Sequence, residues 1–160
     1  MIMIISVIFL IAVDQLTKYL TVLNIDEGAY IPILGNVFGL SYVKNPGAAF
    51  GILQEQTWLF VIFTIIILTG IVYTYIKVPN NKKYISLKIT LILFIAGAIG
   101  NFIDRIRFKY VVDMLYFKLI NFPVFNAADC YVVIGAILLI VLMLFKYKEE
   151  DFAFMKRRQR

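Results

Sequence analysis

The sequence predicts an all-α membrane protein with four transmembrane helices, a small extracytoplasmic β-rich platform and a flap segment. Three observations lead there. Hydrophobic residues make up 62% of the 160 and charged residues only 16%. Soluble domains run at roughly 45–50% and about 25%, so this chain has too little polar surface to cover a globule in water. Four apolar runs each reach the roughly 20 residues that a bilayer-spanning helix needs. The basic residues, lastly, collect at one end of those runs.

The first run, 1–23, is uncharged until Asp14. Its start lacks the basic leader and the small-x-small cleavage site of a secretory signal, so it is expected to stay as a span. The second, 58–76, carries no charge. The third, 85–103, has Lys88 in its first turn and Gly97 and Gly100 near its far end, a spacing that favours close helix packing. The fourth, 127–145, has Asp129 as its one charge. Two outer segments remain. In 24–57, β-branched and aromatic residues around Pro32, Gly35 and Gly39 predict short strands and turns lying on the membrane. The second, 104–126, contains Asp113 and is expected to form the flap. Without repeats or linkers, residues 1–160 are expected to form one membrane domain.

Orientation follows from charge. Lys77, Lys82, Lys83 and Lys88 lie between the second and third spans, and Lys146, Lys148, Lys156, Arg157, Arg158 and Arg160 follow the fourth. Ten of the 16 basic residues thus mark one face, which the positive-inside rule assigns to the cytoplasm, along with both termini. The net charge of +6 then reads as a topology signal in contact with membrane phospholipids, and no nucleic-acid motif accompanies it.

Composition also limits the chemistry. Histidine is absent, which removes imidazole bases and His-paired nucleophiles. The single cysteine, Cys130, excludes an internal disulfide and a Cys-built zinc site. Counting outward from Lys83 places Asn101, Asp104 and Arg105 about 27–33 Å away, at the opposite boundary of the membrane. Counting back from Lys146 places Asp129 about 25 Å away, just inside the same boundary. Asp14 and Lys18 fall in the outer half, and Asn45 and Asp113 belong to the outer segments. One layer therefore gathers the polar residues, and acids at such a depth are costly and usually functional.

Several acids without histidine point to a paired-carboxylate site. Two aspartates sharing a site do not readily both ionise, so one can accept a proton from water while the other donates. Asp113 and Asp129 are the best pair. Asp14 and Lys18, spaced i, i+4 with the acid first, read as a structural ion pair. Asp104 and Arg105 are adjacent and cannot face one another on a helix. Arg105 reads as a site organiser with a fork of five donors, lipid phosphate being its competing partner. Asn45, Asn101 and Asn126 can each orient an aspartate or hold substrate backbone. For Asn126 a helix N-cap role competes. A non-enzymatic transporter or lipid-binding subunit is the alternative, and it requires polar residues along a path through the membrane. A divalent-metal enzyme using Asp104, Asp113 and Asp129 is a further rival.

The residues that carry a family resemblance are Asp14-Gln15-Leu16-Thr17-Lys18, Asn45-Pro46-Gly47-Ala48-Ala49-Phe50, Gly97 through Arg105, Val111-Val112-Asp113 and Phe122 through Asp129. In this order, in a four-span chain, they resemble lipoprotein signal peptidase (signal peptidase II), the bacterial membrane aspartic endopeptidase. The resemblance implies Asp113 and Asp129 as the catalytic pair and no metal or organic cofactor. It implies a lipid-modified prolipoprotein as substrate, cut before its diacylglyceryl-cysteine. It also implies a site near the outer face of the bacterial cytoplasmic membrane. The enzyme is expected to be a monomer. Two positions depart from the family pattern: Met114 stands where Phe is frequent, and Cys130 where another small residue is common.

Overall fold

The apolar runs fold as four long helices in the computed structural model, which describes residues 2–47 and 57–155. Ala48, Ala49, Phe50 and Gly51, and the basic tail Lys156, Arg157, Arg158 and Arg160, lie outside the described residues. The helices are α1 (Ile2–Asn24), α2 (Thr57–Lys77), α3 (Ile85–Phe108) and α4 (Ala127–Phe145). All four are long and apolar enough to cross a membrane. Isoleucine, leucine and phenylalanine stay exposed along α1, α2 and α4, as in Phe9, Ile66 and Ile137. A helix that is apolar all round suits lipid on one side and protein on the other.

Helix α3 is the hub, packing on α1, α2 and α4. Glycine makes its closest approaches possible. A Cβ on Gly97 would stand 2.5 Å from the carbonyl oxygen of Ala128 in α4, and one on Gly100 would stand 2.6 Å from Oδ2 of Asp14 in α1. Small residues at helix crossings let backbones approach where lipid supplies no hydrophobic drive.

Three strands form a small platform: β1 (Tyr30–Leu34), β2 (Phe38–Asn45) and β3 (Val111–Tyr116), antiparallel in the order β1-β2-β3. Gly35, at φ +53°, turns the chain between β1 and β2. This modifies two sequence expectations. Helix α3 does not end near residue 103; it runs on to Phe108 and stops where Lys109 takes a left-handed φ of 68°. Asp104 and Arg105 therefore sit on a helix rather than in the outer segment. The stretch carrying Asp113 is not a separate flap, because it pairs with β2, setting Val43 opposite Asp113 and Asn45 opposite Val111. Strand pairing satisfies its backbone groups, which a free flap would leave to water.

At the opposite end, the chain after α4 folds back on the α2–α3 connection. Tyr84 and Tyr147 stack at 5.7 Å, Lys83 pairs with Asp151, and the Tyr84 hydroxyl donates to the Asp151 carbonyl. This clasp gathers the lysines of both segments.

Candidate active site

The polar residues of the site come from α1, α3, β2, β3 and the start of α4. In β3, alternation sends Val111 and Asp113 to one face and Val112 and Met114 to the other. Val112 and Met114 pack with Ile25 and Tyr42, so the departure at Met114 lies in the platform core, behind the strand. Asp113 is 1% exposed and lines a cavity of about 670 Å³. The cavity is shared with Asn45, Asn101, Arg105, Asp129 and Cys130.

Asp129 sits in the first turn of α4, where Asn126 caps the helix. The Asn126 side-chain oxygen accepts from the Asp129 N–H at 3.0 Å, and the Asn126 N–H donates to Asp129 Oδ2 at 3.1 Å. This reciprocal box satisfies two of the free donors at a helix start. Asn126 is also a bridge. Its Nδ2 donates to Asp113 Oδ1 at 2.6 Å and to Asn101 Oδ1 at 3.1 Å. The side chain that caps α4 is thus also the one that contacts Asp113.

The remaining amides complete the hold on the aspartates. Asn101 Nδ2 donates to Asp129 Oδ1 at 2.7 Å. Asn45 Nδ2 donates to Asp113 Oδ2 at 2.9 Å, while its own oxygen accepts from the Gly47 N–H at 3.1 Å. The Asn45 turn thus fixes which end of the amide faces the acid. All four carboxylate oxygens of the pair accept a hydrogen bond. Burial, and after it the charge of Asp129, nevertheless push Asp113 up to about 7, against the pull of Asn45 and Asn126. An aspartate so placed is protonated in part of the molecules at neutral pH, as acid–base work requires.

Behind this layer lies a second one. Lys18, 3% exposed, reaches Asp14 at 2.9 Å and Asp104 at 3.0 Å, both acids being almost wholly buried. Asp14 Oδ1 also accepts the Ala128 N–H at 3.0 Å, tying α1 to the start of α4. Asp104 Oδ2 accepts the Val112 N–H at 3.1 Å, tying α3 to β3 beside Asp113. Removing one partner from such a buried cluster costs about 3–5 kcal/mol, because the charge left behind has no counterpart. Asp104 faces this cluster rather than the cavity. Among the described residues no three acids are grouped to hold a metal ion, which separates the trio that the metal reading needs.

Gln15 was not singled out in sequence. Its Nε2 donates to Asp104 Oδ1 at 2.9 Å and to the Gly100 carbonyl at 3.2 Å. The available signal was an amide next to Asp14 inside an apolar run. Arg105 points Nη2 at the Gly47 carbonyl, 3.5 Å away, and its guanidinium lies 4.9 Å from the Phe60 ring centre. The cavity wall is otherwise apolar, with Phe117 stacked on Phe125 at 5.8 Å and Phe122 edge-on to Phe125. On α4, Val133 and Ile134 carry the wall out to the lipid-facing surface, each more than half exposed.

Among the described residues, α2 and the rest of α4 offer no polar path through the bundle. In α2 the Thr69 and Thr74 hydroxyls return to carbonyls of their own helix, and α4 is apolar beyond Tyr131. The transporter alternative has no path here.

Residues 6–145 match the family described as Signal peptidase (SPase) II. Lipoprotein signal peptidases of Streptococcus pyogenes strains Manfredo and MGAS8232 are each 40% identical over 149 residues, covering 93% of this chain and 95% of the relative. Two solved structures described as bacterial membrane enzymes, obtained by the in meso method, share the fold. One aligns at a TM-score of 0.80 with 32% identity, covering 99% of this chain and 93% of that one. The other aligns at 0.79 with 34% identity, covering 91% and 94%.

Proposed function

Because the chain belongs to the signal peptidase II family, we propose that it is an aspartic endopeptidase that removes the signal peptide of prolipoproteins. The cut falls before the diacylglyceryl-modified cysteine. The observation that carries this reading is the meeting of Asp113 and Asp129 at one cavity, with Asn126 donating to both.

The ionised aspartate takes a proton from water as its oxygen attacks the scissile carbonyl. The protonated aspartate donates to the developing oxyanion, and proton return expels the cysteine amine. Binding of the substrate shuts bulk water from the cavity and strengthens each of these contacts. Arg105 and Asn45 hold the substrate backbone at the cavity rim. The apolar wall of Phe117, Phe122, Phe125 and Val133 fits an apolar signal helix and its lipid. Val133 and Ile134, exposed toward lipid, let the substrate enter sideways from the bilayer.

Both termini lie in the cytoplasm and the site near the outer face of the cytoplasmic membrane, a reading supported by the lysines gathered at the clasp. The protein works as a monomer surrounded by phospholipid. The test is to incubate purified protein with a lipidated prolipoprotein and, separately, with its unlipidated precursor, and to locate cuts by mass spectrometry. Cleavage of the lipidated form alone, immediately before cysteine, is expected. Equal cleavage of both, or a cut elsewhere, contradicts the assignment.

A further inference from the structure

Lys18 does more than pair with two acids. Its ammonium carries three N–H donors, and a third acceptor lies within reach: Asn101 Oδ1 at 3.0 Å. That oxygen also receives Asn126 Nδ2 at 3.1 Å. An amide whose oxygen is held by two donors has its nitrogen turned the other way, and the Asn101 nitrogen meets Asp129 Oδ1 at 2.7 Å. Asn126, with one N–H committed to Asn101, aims the other at Asp113. The chain of hydrogen bonds runs from one buried ammonium on α1 to both aspartates on β3 and α4.

We propose that Lys18 is a positioning residue for the aspartate pair: its ammonium fixes the amide of Asn101, and through Asn101 and Asn126 it fixes which donors face Asp129 and Asp113. The proposal rests on the reading of Asp113 and Asp129 as the catalytic pair. Without the ammonium, the Asn101 oxygen keeps only the Asn126 amide as a donor, and the Asn101 amide is held less firmly against turning over. Once turned, its oxygen would face the Asp129 carboxylate, exchanging a hydrogen bond for a repulsion. A cation held one residue away from the reacting groups sets their orientation without touching substrate, so its loss is expected in kcat rather than in KM.

Among the described residues the charged and titratable groups that act on Asp129 come from several elements: Lys18 from α1, Arg105 from α3, Asp113 from β3, and Cys130 from α4 itself. Removing Lys18 alone leaves Asp14 and Asp104 both unpaired. The test therefore compares Lys18→Met/Asp104→Asn with Asp104→Asn, two variants that differ by the ammonium alone and leave at most one carboxylate, Asp14, without its cation. Cleavage of a lipidated prolipoprotein by purified protein is followed from pH 5 to pH 9, with thermal unfolding measured alongside.

Relative to Asp104→Asn, the double variant is expected to lose kcat by about 100-fold, the size of effect a small misplacement of reacting groups produces. KM should stay within about 3-fold, and the pH profile should change shape, because Asp129 has lost a donor. An unchanged profile, with kcat falling only in step with thermal stability, overturns the proposal. Should the double variant not fold, Asn101→Asp tests the same relay, since its carboxylate can accept from Lys18 but offers Asp129 no donor. Unaltered kcat in Asn101→Asp overturns the proposal equally. Asp113→Asn and Asp129→Asn are run beside these. If they cleave normally the catalytic reading itself fails, whereas if they are dead and the Lys18 variants are normal, only the relay fails.

Discussion

Asn126 holds Asp113 at 2.6 Å with its side-chain amide, and the same residue caps the helix that carries Asp129. A single asparagine at the junction of loop and membrane helix thus sets the spacing of two acids that come from separate elements. A mutation there acts on fold and site together.

Asn126→Ala removes the cap and the bridge. Loss of the cap alone is worth about 1–2 kcal/mol. Thermal unfolding in detergent is expected at a lower temperature, and prolipoprotein cleavage should fall by more than that loss explains. Asn126→Asp keeps an oxygen for the cap but puts a third acid beside the pair. It should recover much of the stability and little of the activity. Equal recovery of both would separate the bridge from catalysis.

The pH dependence follows from Asp113. Its folded-state value of about 7 lies above the ordinary 3.8, so the neutral form is favoured in the fold. The stability this group contributes is complete below the ordinary value and is lost as pH rises through about 7. Asp113→Asn should therefore raise the unfolding temperature more at pH 8 than at pH 5. Where Asp113 is the proton donor, kcat/KM of the unmodified protein declines above about pH 7. A melting shift that is the same at both pH values contradicts this account.

The glycines of α3 predict a different kind of failure. An added Cβ at Gly100 meets Asp14 Oδ2 at 2.6 Å, and one at Gly97 meets a backbone oxygen at 2.5 Å. Gly97→Ala and Gly100→Ala are each expected to cost about 1–3 kcal/mol through overpacking. At Gly70, where a Cβ meets nothing within 4 Å, alanine should be neutral or slightly stabilising. Thermal melts of the three variants, compared at one detergent concentration, check the contrast.

Arg105 predicts an effect on binding. Its guanidinium lies at the cavity rim, near the Gly47 carbonyl and the Phe60 ring. Arg105→Ala should raise KM about 10-fold or more, with a smaller change in kcat. Arg105→Lys should restore only part of the loss, because a point charge does not replace a planar fork. Steady-state kinetics on a lipidated substrate measure both.

Much of this arrangement was legible in the sequence, for definite physical reasons. Four spans announced themselves because lipid demands about 20 apolar residues in each. Depth was readable because a helix advances by a fixed rise, so Asn101 and Asp129 could be set at one level before any fold was known. The end of α3 was not readable, because Asp104, Arg105 and Arg107 look like the start of a loop. Inside the protein Asp104 finds Lys18, Gln15 and the Val112 N–H, and the helix continues. The strand carrying Asp113 was hidden for a related reason. Its partner β2 lies more than 60 residues earlier, and a hairpin signal exists only between neighbouring segments. Lys18 appeared in sequence as half of an i, i+4 pair, since spacing reveals neighbours on one helix and is blind to Asn101 and Asp104 on another.

The most direct test of the central claim is cleavage of a lipidated prolipoprotein by purified Asp113→Asn and Asp129→Asn, read by mass spectrometry with helix content checked by circular dichroism. Each variant should keep its helices and lose at least about 1,000-fold in rate, since general acid–base groups contribute on that scale. Either variant cutting within about 10-fold of the unmodified protein would contradict the claim that these two carboxyl groups perform the reaction.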